Sequence, residues 1–317
     1  MNATTPLPAP PFFTLTGNLL AERTLELPSW SPGETHRATA GSFQTGGKGI
    51  NVSRMLTRLE TPNTALCFPG GATGGECLAW MRAHGLSVRA FPNATPTRAG
   101  FVVRSPGRKE TTFLGPDAPA DAASLTACAQ FLDTLAGGAV VAFCGSFPGW
   151  DSLEARPLRE SLDRLIARAT VCVDSYGPPL AWFVARPVAL IKINRAEFDL
   201  LFLEPHQQRP VAARLAEMPA RSPALRWIVT DGAREITFAT RENPPLTLTP
   251  PAVAEVSATG SGDVLFACVL HALFVRGFSL ADAVSFALPF ASANAASPGI
   301  ADFNMNQVPQ SRSLSTP

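Results

Sequence analysis

The 317-residue sequence predicts an α/β protein built on a largely parallel sheet covered on both faces. Two observations carry this reading. Hydrophobic residues make up 46% of the chain and charged residues 16%, which supplies one large buried core and excludes intrinsic disorder for most of the length. Short apolar, β-branched or aromatic runs alternate with helix-length segments, the pattern of βαβ units. The length fits one large domain, residues 1–317, with an appendage.

In chain order, a strand at 12–15 precedes a helix at 50–59, a strand at 64–68 a helix at 76–83, and a strand at 139–144 a helix at 153–167. Strands follow at 171–174 and 188–193, then a helix at 196–203 and a strand at 227–230. Two segments break the rhythm. Residues 23–43 and 98–114 alternate apolar and polar residues around Ser-Pro-Gly turns, the signature of half-exposed hairpins, and they read as a small β-sheet lid over one end of the sandwich. Such a lid serves to exclude water from a site beneath it, to form a homodimer contact, or both. Helices at 263–276 and 280–296 are apolar almost all round, as expected of packed helices. The Pro-rich residues 1–13 read as a loose leader, and the polar, Pro/Ser-rich residues 303–317 as a disordered tail.

With 26 basic and 25 acidic residues the formal charge is +1, so no nucleic-acid face is indicated and any bound phosphate must be held by local geometry. The six cysteines show no CxxC pair and read as reduced, mostly buried thiols. No secretory signal and no membrane span stand out, which places the protein in the cytoplasm.

Four motifs carry chemistry. Ala258-Thr-Gly-Ser-Gly-Asp263 opens a long apolar helix: Gly260, Ser261 and Gly262 offer backbone amides at the positive end of the helix dipole, an anion cradle. Asp263 at its rim makes sense as a base that takes a proton from an attacking hydroxyl, or as a simple N-cap. Gly46-Gly47-Lys48-Gly-Ile-Asn51 also opens a helix but lacks P-loop spacing. Its glycines let amides reach a hydroxylated ligand with Lys48 and Asn51 beside them, or serve only a turn. In Lys192-Ile-Asn194-Arg-Ala-Glu197, the Asn and Glu share one helical turn, suited to water around a hard cation or to a capping box. Ile228-Val-Thr230-Asp-Gly232 ends a strand where a nucleotide phosphate would sit. His271 lies on an apolar helix and reads as core or boundary, and the other histidines show no metal spacing.

The order of these motifs, with Leu15-Thr-Gly-Asn18, Arg23-Thr24, Gly70-Gly-Ala-Thr-Gly74, Thr97-Arg98, Gly145-Ser-Phe-Pro148 and Ser297-Pro-Gly299, resembles the ribokinase-like carbohydrate kinases of phosphofructokinase B type over about residues 12–301. Within them it resembles the branch of 1-phosphofructokinase and tagatose-6-phosphate kinase. The resemblance implies a three-layer α/β/α sandwich with a β-sheet lid, and magnesium-dependent transfer of the ATP γ-phosphoryl group to a sugar hydroxyl. It implies Asp263 as base and Gly260, Ser261 and Gly262 as the hole for phosphoryl charge. Lys192, Asn194, Thr230 and Gly232 would face the nucleotide, and Glu197 magnesium through water. Gly46, Gly47 and Asn51 would hold sugar hydroxyls; Lys48, Arg98 and Ser146 would surround the acceptor's own phosphate. The leading acceptor is fructose 1-phosphate, giving fructose 1,6-bisphosphate. Alternatives are tagatose 6-phosphate or fructose 6-phosphate, a nucleoside or free sugar, and a non-catalytic sugar-phosphate sensor.

Three departures from the family pattern stand out. Relatives read Asn-Pro-Ala-x-Asp where this chain reads Asn18-Leu-Leu-Ala-Glu22; Lys-Pro-Asn has become Lys192-Ile193-Asn194; and Glu235 stands where a glycine is usual. A carboxylate that reads sugar hydroxyls must lie within about 3 Å of them, and the extra methylene of Glu22 shifts it by roughly a bond length. Glu22→Asp is therefore expected to change the ratio of kcat/KM between fructose 1-phosphate and tagatose 6-phosphate. An unchanged ratio would mean that Glu22 does not read the sugar.

Overall fold

A strand that is apolar at every position needs both faces of its sheet covered, and the strands of this chain satisfy that demand against two large cores and a smaller third. A computed structural model describes residues 10–203 and 206–308. In chain order the strands are β1 (Phe12–Thr16), β2 (Leu20–Glu26), β3 (Ala40–Gly46), β4 (Asn63–Cys67), β5 (Val88–Ala90), β6 (Arg98–Arg104), β7 (Thr111–Leu114), β8 (Val140–Gly145), β9 (Thr170–Ser175), β10 (Leu190–Asn194), β11 (Arg226–Thr230), β12 (Ile236–Thr240) and β13 (Leu246–Leu248). The helices are α1 (Lys48–Arg58), α2 (Gly71–Ala83), α3 (Ala122–Thr134), α4 (Arg156–Ile166), α5 (Pro178–Val184), α6 (Arg195–Asp199), α7 (Val211–Leu215), α8 (Met218–Arg221), α9 (Ser261–Phe274) and α10 (Leu280–Ala295).

The main sheet has nine strands in the order β13-β12-β11-β10-β9-β8-β1-β4-β5, parallel from β11 to β5 and antiparallel at β12 and β13. Side chains alternate across it. In β8, Val141 and Phe143 enter one core with Leu125, Leu158, Leu162 and Phe183 of α3, α4 and α5. Val140, Ala142 and Cys144 enter the other with Met55 of α1, Val264 to Leu270 of α9 and Val284 of α10. The result is the expected three-layer sandwich. The register pairs Thr16 with Cys144 and Cys144 with Asp174, so the carboxyl ends of β1, β8 and β9 lie side by side, with those of β10 and β11 beyond. Loops leaving such an edge are where an α/β sheet binds ligands.

A second sheet, in the order β3-β2-β6-β7, joins two antiparallel pairs through the parallel β2/β6 ladder. It is the expected lid, but its strands begin at Leu20 and run to Gly46, because Leu20 to Arg23 already pair with Arg98 to Phe101. The hairpin between β6 and β7 docks on the loop before the glycine turn: Glu110 accepts from Thr259 Oγ1 (3.0 Å), and Arg104 donates to the Pro298 carbonyl (2.7 Å).

The sequence reading missed α3, whose start is capped by Asp121 accepting from the Ser124 amide at 2.8 Å. It also placed the start of α4 too early, since residues 149–155 are turns that place Pro157 in the first helical turn. The tail needs correction in part. Residues 303–308 are ordered: Arg58 stacks on Phe303 and donates to its carbonyl, and Met305–Gln307 form a short 3-10 helix. Residues 309–317 of that expected tail, and 1–9 of the leader, lie outside the described residues. All six cysteines are buried free thiols. His271 is buried, and its Nδ1 lies 2.7 Å from Thr61 Oγ1.

Asn294 in α10 ties three segments together. Its amide donates to the Thr259 carbonyl and Ser261 Oγ, both at 3.0 Å, and its oxygen accepts from the Ala301 amide at 2.7 Å. Asn294→Ala is expected to leave buried backbone groups unpaired and to destabilise the fold by about 2–4 kcal/mol. Thermal denaturation checks this; an unchanged Tm would show that the bridges carry no weight.

Candidate active site

The glycine turn before α9 has a conformation that its sequence requires. Gly260 is the N-cap with φ of 77°, a left-handed value, and a Cβ there would overlap Ile300. Asp263 is therefore the third residue of α9 and not its cap. Its carboxylate instead accepts from Asn51 Nδ2 at 2.7 Å, a contact between the two glycine motifs, whose helices pack in the same core. The Ser261 amide is occupied by the Ala258 carbonyl (3.2 Å), whereas the Gly262 amide lies in the unpaired first turn. A Cβ on Gly262 would come within 2.8 Å of Lys192 Nζ, so the cradle has an ammonium directly against it.

Both lysines of the site converge on a residue that sequence reasoning missed. Asp174 is the penultimate residue of β9 and is fully buried; its Oδ1 pairs with Lys48 Nζ at 2.8 Å and its Oδ2 with Lys192 Nζ at 2.7 Å. The available signal was an acid closing the apolar run Val171-Cys-Val-Asp174 at the carboxyl edge of the sheet. Burial by itself would raise the Asp174 carboxyl, but Lys192 and Lys48 more than offset it and hold it below its ordinary value. Burial pulls the Lys48 ammonium down, and Asp174, Asp263 and Glu197 together hold it above its usual range. Asp263 goes the other way: burial, helped by the neighbouring Asp174 charge, pushes it up to about 6 against the pull of Lys48, Lys192 and Asn51. A carboxylate poised there can accept a proton near neutral pH.

Asn194 and Glu197 form a capping box, the Asn194 oxygen accepting from the Glu197 amide and Glu197 Oε2 from the Asn194 amide, both at 2.9 Å. The other oxygen, Oε1, faces Lys48 Nζ at 3.7 Å, so capping leaves half of the carboxylate turned toward the site. Thr230 pairs in register with Asn194, and Gly232 turns the chain into β12 with φ of 58°. Both share the sheet edge without touching the lysine group.

A second set surrounds a cavity of about 80 Å³ lined by Thr16, Asn18, Gly47, Lys48, Arg98, Cys144, Gly145, Ser146 and Tyr176. Gly47, Lys48, Arg98 and Ser146 thus meet as expected. Thr16, Asn18 and Tyr176 were not singled out as site residues. Buried polar atoms without a partner among the described residues include Thr16 Oγ1, Asn18 Oδ1, Asn51 Oδ1 and Arg98 Nε. Such atoms are costly unless a ligand satisfies them. Part of the first glycine turn is structural: a Cβ on Gly47 would press on Thr16 at 2.7 Å, and one on Gly49 would overlap Thr16 Oγ1. Gly46 and Glu22 pack together in the lid beside this cavity. Glu22 is buried and accepts from Gln44, and burial raises its carboxyl above the ordinary value.

A parallel α/β/α sandwich whose carboxyl edge joins an anion cradle, paired lysines and a poised carboxylate is the frame of a phosphoryl-transfer enzyme. Residues 16–306 match the pfkB family of carbohydrate kinases, and the chain belongs to that family of ATP-dependent sugar kinases. It is 26% identical to a 1-phosphofructokinase of Borreliella burgdorferi, over 92% of this chain and 94% of that protein. It is 29% identical to an ATP-dependent 6-phosphofructokinase isozyme 2 of Mycobacterium tuberculosis, over 94% of this chain and 88% of that protein. Its fold is similar to that of Escherichia coli phosphofructokinase-2 in complex with fructose-6-phosphate, with a TM-score of 0.80, 23% identity, and coverage of 90% of this chain and 94% of that one. Among the described residues no helix is long and apolar enough to cross a membrane.

The position of Asp263 yields a prediction with two readouts. Asp263→Asn is expected to lower kcat at least about a hundredfold while nucleotide binding persists, and the wild-type kcat to fall on the acid side near pH 6. Stability should move oppositely. A carboxyl raised from 3.8 to about 6 on folding stabilises the fold below pH 4 and loses that contribution as pH rises through 6. At pH 7.5 the Asn variant should therefore melt no lower than wild type. Near-normal turnover would remove Asp263 from the role of base.

Proposed function

We propose that this kinase phosphorylates a hydroxyl of a sugar phosphate, with fructose 1-phosphate as acceptor and fructose 1,6-bisphosphate as product. The observation that carries the chemistry is the buried carboxylate of Asp263, held by Asn51 at 2.7 Å in the first turn of α9 beside the anion cradle. The acceptor hydroxyl donates its proton to Asp263 as its oxygen attacks the γ-phosphorus of ATP, and the bond to ADP breaks. The charge on the transferring phosphoryl oxygens meets the Gly260 and Gly262 amides of the glycine turn, with Lys192 directly against it. Asn51, Gly46, Gly47 and Glu22 hold sugar hydroxyls, and Arg98, Ser146 and Lys48 hold the phosphate already on the sugar.

On the nucleotide side, Asn194, Thr230 and Gly232 follow the ATP phosphates along the sheet edge. The base enters the cleft of about 490 Å³ between Pro251 to Val253 and Pro289, Ser292 and Ala293 of α10. Among the described residues no group of three or more His, Cys, Asp or Glu is placed to hold a metal ion. The half-committed Glu197 carboxylate fits a magnesium ion that arrives on the ATP phosphates with its own water shell, which supplies charge neutralisation. Phe101, Phe113 and Leu114, exposed on the second sheet, suit a homodimer contact through the lid.

Relatives named for fructose 6-phosphate chemistry keep that sugar, and tagatose 6-phosphate, as the second reading. An ATP-consumption assay against fructose 1-phosphate, fructose 6-phosphate, tagatose 6-phosphate, free fructose and a nucleoside ranks them. Arg98→Ala is expected to raise KM for the phosphosugar at least about tenfold and to leave KM for ATP within twofold, as befits a charge-assisted phosphate contact. Equal weakening of both would place Arg98 elsewhere.

A further inference from the structure

The guanidinium meant for the acceptor's phosphate is already partnered by an anion of the protein itself. Arg98 Nη1 donates to Asp117 Oδ1 at 3.0 Å, and Asn18 Nδ2 donates to the same oxygen at 2.8 Å. Asn18 also donates to Ser146 Oγ at 3.0 Å. Asn18, Arg98 and Ser146 all line the small cavity, so Asp117 Oδ1 occupies an oxygen position on two of its donors. The partners differ in freedom: the Arg98 side chain is 12% exposed and that of Asp117 is 58% exposed. The main chain around Asp117 is pinned, by the Gly115 amide on the Ala99 carbonyl (2.8 Å) and by Asn93 Nδ2 on the Pro119 carbonyl (3.1 Å), and Pro116 and Pro119 stiffen it further. The carboxylate can therefore leave by rotating its own two side-chain bonds.

We infer that Asp117 is a specificity-determining residue, a resident counter-anion that holds the Arg98 and Asn18 subsite until the acceptor's phosphate displaces it. This rests on the phosphosugar reading of the cavity. An ion pair whose carboxylate is mostly exposed is weak, whereas a phosphate dianion brings two charges and three acceptor oxygens to a largely buried guanidinium. The exchange favours the dianion and disfavours neutral hydroxyls and singly charged anions, which gain too little to expel a carboxylate. After displacement, the nearby Asp117 charge opposes the bound phosphate, so affinity is given up for selectivity.

The test uses the full chain with Asp117→Asn and Asp117→Ala. Both variants should lower KM for the preferred phosphosugar at least about threefold, leave kcat and KM for ATP within twofold, and strengthen competitive inhibition by inorganic phosphate and by acetate. An acceptor KM that is unchanged or raised in wild-type-like folded variants overturns the inference, since a raised value means that the carboxylate itself holds the sugar. Inorganic phosphate binding followed by calorimetry separates this from the functional reading. Tighter phosphate binding in both variants, with a wild type that turns over only unphosphorylated sugars, retains the counter-anion and removes the phosphosugar assignment. A wild type active on phosphosugars whose phosphate affinity ignores Asp117 removes the counter-anion alone.

Discussion

Two lysines cannot be drawn out of water at the edge of a sheet unless an opposite charge goes with them, and in this protein a single buried carboxylate supplies it. Asp174 takes Lys48 on one oxygen and Lys192 on the other. Lys48 opens α1 and Lys192 lies in β10 beside β9, so the two ion pairs tie the start of a helix to two neighbouring strands of the sheet. The consequences spread outward. Lys192 lies close enough to the cradle that Gly262 must remain without a side chain, and the balance of two ammonium and two carboxylate groups leaves Asp263 as the one whose charge is poorly supported. Burial, helped by the Asp174 charge beside it, thus leaves the Asp263 carboxyl above its ordinary value.

Around this cluster the site is built ahead of its ligand. Thr16, Asn18, Asn51 and Arg98 keep buried polar atoms with no protein partner among the described residues, and β1 and α1, which carry Thr16 and Asn51, are packed against the apolar cores. Rigid donors held in place need little reordering when a hydroxylated, charged molecule arrives. The same rigidity explains why so many glycines sit here: Gly47, Gly49, Gly260 and Gly262 each lie where a Cβ would strike a neighbouring side chain, so closeness of backbone to site is bought by leaving side chains out.

The second sheet extends the site rather than merely covering it. Its strands deliver Glu22 and Arg98 to the side where we propose that the sugar binds, while Glu110 and Arg104 in the adjoining hairpin fasten it to Thr259 and Pro298 beside the glycine turn. One small sheet therefore contacts both the small cavity, through Arg98, and the loop that leads into the glycine turn, through Glu110.

Alternation of apolar runs with helical segments was enough to establish the parallel sheet and its layers, because burial on both faces leaves a mark on every residue of a strand. Glycine turns ahead of α1 and α9 were equally plain, and so were Asp263, Asn51 and Lys192, since backbone approach and helix starts are local properties. The antiparallel strands β12 and β13 and the helix α3 were less legible, the latter because its apolar face is interrupted by small and polar residues. What no local pattern could reveal was which charges meet. Asp174 reads as the last residue of an apolar strand, and Asp117 as part of a proline turn; each acquires its meaning from partners 18 to 126 residues away. Sequence by itself determined the periodicities, the turns and the chemical groups, because those depend on neighbours along the chain. Tertiary structure alone decided how the groups are paired and what proton affinity they have, because Coulomb energy depends on distance and burial in space.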